Sequence, residues 1–212
     1  MSAPAQPRTR MLLAIVAMWL CVVVAGLGLL FAHSIAPGST AEAPSEWPEE
    51  TVLSLDAERP TLVFVAHPQC VCTRASVAEL ARLVARLDGK LRTHVLFVRP
   101  EGSREEWERS DLWLSANAIA DVDVVADPDG REAERFGART SGQAYLFAPE
   151  GELLFAGGIT ASRGHEGPSL GRDRIVALVE EGAADGDASD VFGCALFEDD
   201  QADAWVRWVR AL

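Results

Sequence analysis

The stretch that most constrains this chain is Thr61–Leu87, which reads TLVFVAHPQCVCTRASVAELARLVARL. Thr61 to Ala66 is a short apolar run of β-favouring residues, long enough for a buried strand. A turn containing His67 and Pro68 follows, then Cys70 and Cys72, and then a helical pattern. Val77, Leu80, Val84 and Leu87 recur at helical spacing on one face, with Arg74, Arg82 and Arg86 mostly outside it. Thr73 or Ser76 is the expected cap, and Ser76-x-x-Glu79 has the spacing of a capping box. Asp88-Gly89 ends the helix. A strand that delivers thiols to a helix N-terminus is a chemical arrangement, because the unpaired N–H groups there favour thiolate over thiol.

The rest of the chain alternates in the same way. Thr93–Val98 is a second buried-type strand, Arg104–Ile119 is helix-forming, and Asp121–Ala126 is a third strand closed by the turn Asp127-Pro128-Asp129-Gly130. A short helix is expected over Arg131–Phe136. Gln143–Phe147 and Glu152–Ala156, joined by Pro149-Glu150-Gly151, read as an antiparallel hairpin. Asp173–Glu181 is the last core helix, and Thr51–Leu55 is a candidate short strand. This order predicts an α/β fold: parallel strands covered by helices, with a hairpin adding antiparallel strands at one end.

Ahead of this domain, Met11–Phe31 carries no charge over 21 positions. As a helix it would be about 30 Å long, one hydrocarbon thickness. Arg8 and Arg10 precede it, and Glu42, Glu46, Glu49 and Glu50 come before the next basic residue, Arg59. That asymmetry places residues 1–10 in the cytoplasm, residues 11–31 across the membrane as a single span, and the remainder outside. A cleaved signal peptide is the alternative. Its small-x-small site would be Ser34-Ile35-Ala36, which Pro37 hinders. Residues 32–50 read as a flexible acidic linker, 51–182 as the folded domain, and 183–212 as a tail with Cys194 and an amphipathic helix over Asp199–Leu212. The chain has 32 acidic and 19 basic residues, two of the latter ahead of the apolar run. Such a surface repels nucleic acid and anionic headgroups and suits a basic or neutral partner.

Cys21 lies inside the apolar run, which leaves Cys70, Cys72 and Cys194 for chemistry. In an oxidising compartment, three thiols are one redox pair and a third thiol, or three ligands. Cys70 and Cys72 cannot both sit in regular helix and bond to each other, so a disulfide between them needs a turn and carries strain. His67 and Arg74 are candidates to activate the first thiol. Alternatively, thiolates one residue apart can hold a soft ion such as Cu(I), with Cys194, His67 or His165 completing the shell.

The strand–cysteine–helix stretch, the run VVADPDGREAERFGA and the hairpin AYLFAPEGELLFAGG together resemble the thioredoxin superfamily. More narrowly, HPQCVCTRAS, TSGQAYLF, GGITASRGHEG and VFGC resemble a group of bacterial membrane-anchored thioredoxin-like proteins labelled RedB. The resemblance implies a thioredoxin-like three-layer sandwich with a mixed sheet, and thiol–disulfide exchange on exported proteins without a cofactor. Cys70 would be the attacking thiolate, Cys72 its partner and Cys194 a possible resolving thiol. It also implies that the loop carrying Arg163 and His165 flanks the site. Three departures stand out: the pair is Cys-x-Cys rather than Cys-x-x-Cys, Gly142 falls near the family's cis-proline, and the turn from Ala66 to Cys70 is one residue longer. Copper delivery is the different-class reading. A peroxidase is a third, although the residues before Cys70 lack the threonine of the peroxidatic loop.

Overall fold

The structure is a computed structural model that describes residues 7–100, 102–104 and 107–197. It separates into two compact units, Met1–Ala36 and Pro37–Leu212. The first is helix α1 (Pro7–Ile35), extending beyond the expected 11–31 at both ends. Its stretch Arg8–Ile35 has a mean hydropathy of 2.7 and is long and apolar enough to cross a membrane.

The second unit is built on one sheet of five strands, β1 (Thr61–Ala66), β2 (Arg92–Arg99), β3 (Val122–Pro128), β4 (Gln143–Phe147) and β5 (Leu153–Gly158). Their order is β3-β2-β1-β4-β5. The first three strands run parallel, β4 pairs antiparallel with β1, and β5 pairs antiparallel with β4. Helix α2 (Val71–Leu87) carries the chain from β1 to β2, and α3 (Asp111–Asn117) carries it from β2 to β3. Helix α4 (Arg131–Arg135) follows β3, and α5 (Leu170–Glu181) follows β5.

Side chains alternate across a strand, so β1 divides its residues between two cores. Leu62, Phe64 and Ala66 join Leu80, Leu83 and Leu87 of α2, Leu112 of α3 and Ile175 of α5. Val63 and Val65 join Ala133 and Phe136 from the α4 region, Tyr145, Leu53 and Leu196. Each large aliphatic side chain fully buried in these layers contributes about 1.5–3 kcal/mol.

Several sequence expectations change. Residues 51–55 form no strand, although Leu53 is buried in the second core. Among the described residues, the stretch between β2 and β3 is helical only over Asp111–Asn117, where Ser110 caps it by accepting from the Trp113 N–H. Leu114, an apolar residue of this helix, is exposed. Cys70, rather than Thr73 or Ser76, is the N-cap of α2. Glu79, freed from the capping box, is fully buried and accepts from Arg172 at 2.7 Å and from the Gly167 N–H at 2.7 Å.

The acidic linker is not a loose tether along its length. The Trp47 N–H donates to the Gly151 carbonyl at 2.7 Å, and the Leu153 N–H donates to the Ser45 carbonyl. The Trp47 ring meets Phe136 and Phe147 edge-on at 5.5 and 5.2 Å. Apolar aromatic area at this position outweighs the flexibility suggested by the surrounding Pro, Ser and Glu. The segment after α5 also folds back on the domain. The Ala156 N–H donates to the Asp187 carbonyl, and the Ser189 hydroxyl donates to the Gly158 carbonyl. The expected Asp199–Leu212 helix lies outside the described residues.

Candidate functional site

The site forms where β1 ends. The backbone turns at His67 and Pro68, and the Cys70 N–H donates to the His67 carbonyl. At Cys70 the backbone is still extended (φ −79°, ψ 115°), and helical geometry starts at Val71. Cys70 therefore sits at the N-cap, beside the free N–H groups of the first helical turn. No side-chain oxygen caps this end, so the thiolate is the anion the helix N-terminus receives.

The second wall is the loop before β4. The Gly142 N–H donates to the Val65 carbonyl at 2.7 Å, and the Ser141 hydroxyl accepts from the His67 N–H at 2.7 Å. The Ser141 hydroxyl also lies 2.5 Å from that of Thr73. Gly142 has φ +95°, which only glycine adopts without strain, and a Cβ here would also press on Ser76. The departure at the family's proline position is thus a loop bonded to both β1 and α2.

The third wall is the strap that carries Cys194. It pairs with the same loop: the Ser141 N–H donates to the Cys194 carbonyl at 2.8 Å, and the Leu196 N–H donates to the Arg139 carbonyl at 2.9 Å. Thr140 and Ala195 form an antiparallel bridge. Leu196 is buried in the second core, and Phe197 lies under the Arg139 guanidinium at 5.4 Å. Arg163 donates to the Gly193 carbonyl and braces the strap from the other side. So held, the Cys194 sulfur lies 3.0 Å from that of Cys70, within S–H···S hydrogen-bonding distance. The ligand atoms of Cys70, Cys72 and Cys194 all lie within 4.8 Å of one another.

The three thiols are electrically unequal. The hydrogen bond from Cys194 holds Cys70 far below the ordinary thiol range; burial opposes this, and the Thr73 hydroxyl and N–H reinforce it. Cys194 keeps the proton and is pushed up, first by that bond and then by burial. Burial and the Cys70 charge raise Cys72, while Arg163 pulls it down. Burial lowers the His67 pKa, so the ring stays neutral near pH 7, with Nδ1 accepting from the Gln69 N–H and an edge contact to Trp107.

Of the residues picked out in the sequence, Cys70, Cys72, Cys194 and Arg163 come together. Pro68 is buried in the turn, and it lines a cleft of about 170 Å³ beside Cys70 together with Val71, Arg74 and Leu112. Arg74 is exposed and acts as a wall of that cleft; Arg163 is the cation whose charge reaches the thiols. His165 is exposed and is not part of the thiol cluster. Ser141 and Gly193 went unnoticed as site residues in the sequence, and Thr73 reads there only as a helix cap. Only Gly193 carried a signal, as the residue beside a cysteine in an apolar island.

No family model and no curated protein matches the sequence. Solved structures do match. An uncharacterized conserved protein from Geobacillus kaustophilus overlays with a TM-score of 0.57 at 14% identity, covering 76% of this chain and 92% of that one. A hypothetical protein from Sinorhizobium meliloti 1021 overlays with a TM-score of 0.54 at 18% identity, covering 77% and 94%. StoA from Bacillus subtilis overlays more loosely, with a TM-score of 0.44 at 12% identity, covering 69% and 99%. The β1-α2-β2 unit, the β4-β5 hairpin on the other side of β1 and the closing helix complete the pattern. The fold is thioredoxin-like. At these identities the likeness concerns fold, and the chemistry of this thioredoxin-like domain rests on its own residues.

Proposed function

We propose that the thioredoxin-like domain exchanges thiols and disulfides with protein partners, and that Cys70 and Cys194 are its redox couple. The 3.0 Å separation of their sulfurs carries this reading. It revises the Cys70–Cys72 pairing expected from the sequence. Cys194 arrives on its own strap, so a bond to Cys70 does not have to close the strained ring of a Cys-x-Cys pair. In one direction the Cys70–Cys194 disulfide takes two electrons from a partner dithiol, leaving the partner with a disulfide and this chain with two thiols. In the other direction the dithiol form passes two electrons to a partner disulfide. The low proton affinity of Cys70 stabilises its thiolate, which makes it a good leaving group in either direction.

Helix α1 anchors the chain in the inner (cytoplasmic) membrane in this reading, with residues 1–10 inside and the domain on the outer, periplasmic side acting on exported proteins. The charge asymmetry about Met11–Phe31 and the likeness to the anchored RedB-type group support that placement. The acidic composition favours a basic or neutral partner.

One observation favours a second reading. Three sulfurs within 4.8 Å of one another form a donor set that suits Cu(I), and Arg163 beside them offsets the thiolate charge. One comparison separates the two: disulfide exchange and Cu(I) affinity of the full chain and of Cys70→Ser, Cys72→Ser and Cys194→Ser. Exchange lost in Cys194→Ser, without tight Cu(I) binding, supports the redox reading. Femtomolar-class Cu(I) binding that needs all three thiols, with no exchange, sinks it.

A further inference from the structure

A redox couple has to reach its partner, and Cys70 does not. It is 3% exposed, its sulfur lies against that of Cys194, and the adjoining cleft of about 170 Å³ fits a small thiol rather than a protein segment. Cys72 and Cys194 are both half-buried rather than buried, but Cys194 is held in the strap by the Ser141 and Arg163 hydrogen bonds. Cys72 instead lies on the first turn of α2, with its sulfur within 4.8 Å of both others. Beside it, Val71 is an apolar side chain 80% exposed that lines the cleft.

Resting on the reading that Cys70 and Cys194 are the couple, we infer that Cys72 is the exit thiol, the group through which the buried disulfide is handed to a protein dithiol. The Cys72 thiolate, its proton released to solvent, attacks the Cys194 sulfur of the Cys70–Cys194 disulfide. A Cys72–Cys194 bond forms, the Cys70–Cys194 bond breaks, and Cys70 leaves as a thiolate. This step moves the disulfide outward with no net oxidation or reduction. Cys194 is the sulfur attacked because it sits on a separate strap, whereas a Cys70–Cys72 bond would close the strained ring between residues one apart. Cys70 is the better leaving group because the first turn of α2 stabilises its charge. A thiolate of the partner dithiol then attacks Cys72, giving a mixed disulfide and releasing Cys194. The partner's second thiolate displaces Cys72, so the partner ends oxidised by two electrons and the cluster reduced. The same steps in reverse serve a reductase. Cys-x-Cys spacing acquires a reason here: it sets an outer thiol beside a buried one while the strap serves both.

The test uses the oxidised full chain in detergent micelles, with dithiothreitol as the small dithiol and an unfolded, reduced two-cysteine protein as the macromolecular one. Cys72→Ser and Cys72→Ala are expected to keep the Cys70–Cys194 disulfide, to keep wild-type thermal unfolding and to be reduced by dithiothreitol near the wild-type rate. Both are expected to lose exchange with the protein dithiol by on the order of tenfold or more. Non-reducing peptide mapping of acid-quenched Cys70→Ser is expected to show a Cys72–Cys194 disulfide. Protein-dithiol exchange at the wild-type rate in both Cys72 variants overturns the inference, as does failure of Cys70→Ser to form the Cys72–Cys194 bond. A wild type that never forms a Cys70–Cys194 disulfide overturns the couple itself, a different and separately visible result.

Discussion

Gly193 faces the carbonyl oxygen of Ser141 so closely that no side chain fits between them. The contact lies one residue from the Ser141 N–H···O=C Cys194 hydrogen bond, so it sets how near the strap comes to the loop before β4. Gly193→Ala is expected to push the strap outward and draw Cys194 away from Cys70. Stability should fall by about 1–3 kcal/mol, the range for overpacking a tight site, and air oxidation of the Cys70–Cys194 pair should slow. Thermal melts and timed alkylation measure both. Wild-type oxidation in Gly193→Ala would mean that strap placement does not govern the pair.

Cys70 makes the stability of the reduced chain depend on pH. Its folded pKa is depressed from an ordinary value of 9.0. Between the folded and unfolded values, the unfolded chain therefore binds a proton that the native chain does not, and stability rises with pH. The contribution is complete above the unfolded value and is lost as pH falls through the folded one. The slope is at most about 1.4 kcal/mol per pH unit. Cys194, shifted upward, is protonated in both states across that window and adds no slope there. Urea denaturation of reduced wild type and Cys70→Ser from pH 6 to 8 should show a steeper rise in wild type, the variant keeping only the smaller gradient of the buried His67 and His94. Parallel gradients would place the thiolate elsewhere.

Glu79 ties α2 to the loop before α5. Its carboxylate is fully buried, and it accepts from Arg172, Arg82 and the Gly167 N–H. Removing one partner of such a pair leaves the other charge uncompensated, so Glu79→Ala should cost about 3 kcal/mol. Arg82, half-exposed, should contribute little by comparison, and Arg82→Ala should shift the denaturant midpoint far less than Glu79→Ala. Denaturant midpoints of the two variants check the ranking, and equal losses would contradict it.

Much of the domain was legible because its periodicities are local. The β1 run Thr61–Ala66 and the α2 face Val77, Leu80, Val84 and Leu87 name their own structure, and the alternation of such elements gives the layers. The site was legible only in part, since Cys70 announces itself at the strand–helix junction whereas Cys194 is brought there by backbone bonds to Arg139 and Ser141. Backbone groups are the same at every residue, so no sequence pattern marks that pairing. Glu79 misled for a related reason: capping-box spacing is a local signal, and a long-range ion pair to Arg172 overrode it. The linker misled because a single residue, Trp47, outweighs its polar neighbours.

Trp47 therefore yields a prediction of its own. Trp47→Ala should loosen residues 38–55 from the domain at a cost of about 3 kcal/mol, the low end for deleting a large aromatic. Limited proteolysis of wild type should spare this segment, and the variant should be cut within it. Equal cleavage of both would return the segment to a free tether.

The central claim is the pairing of Cys70 with Cys194, and disulfide mapping tests it most directly. The full chain is oxidised, quenched in acid, digested without reductant and analysed for linked peptides, alongside Cys72→Ser. The account predicts a Cys70–Cys194 linkage in both proteins and its disappearance on adding dithiothreitol. A sole Cys70–Cys72 linkage in wild type, with Cys194 free, would contradict it.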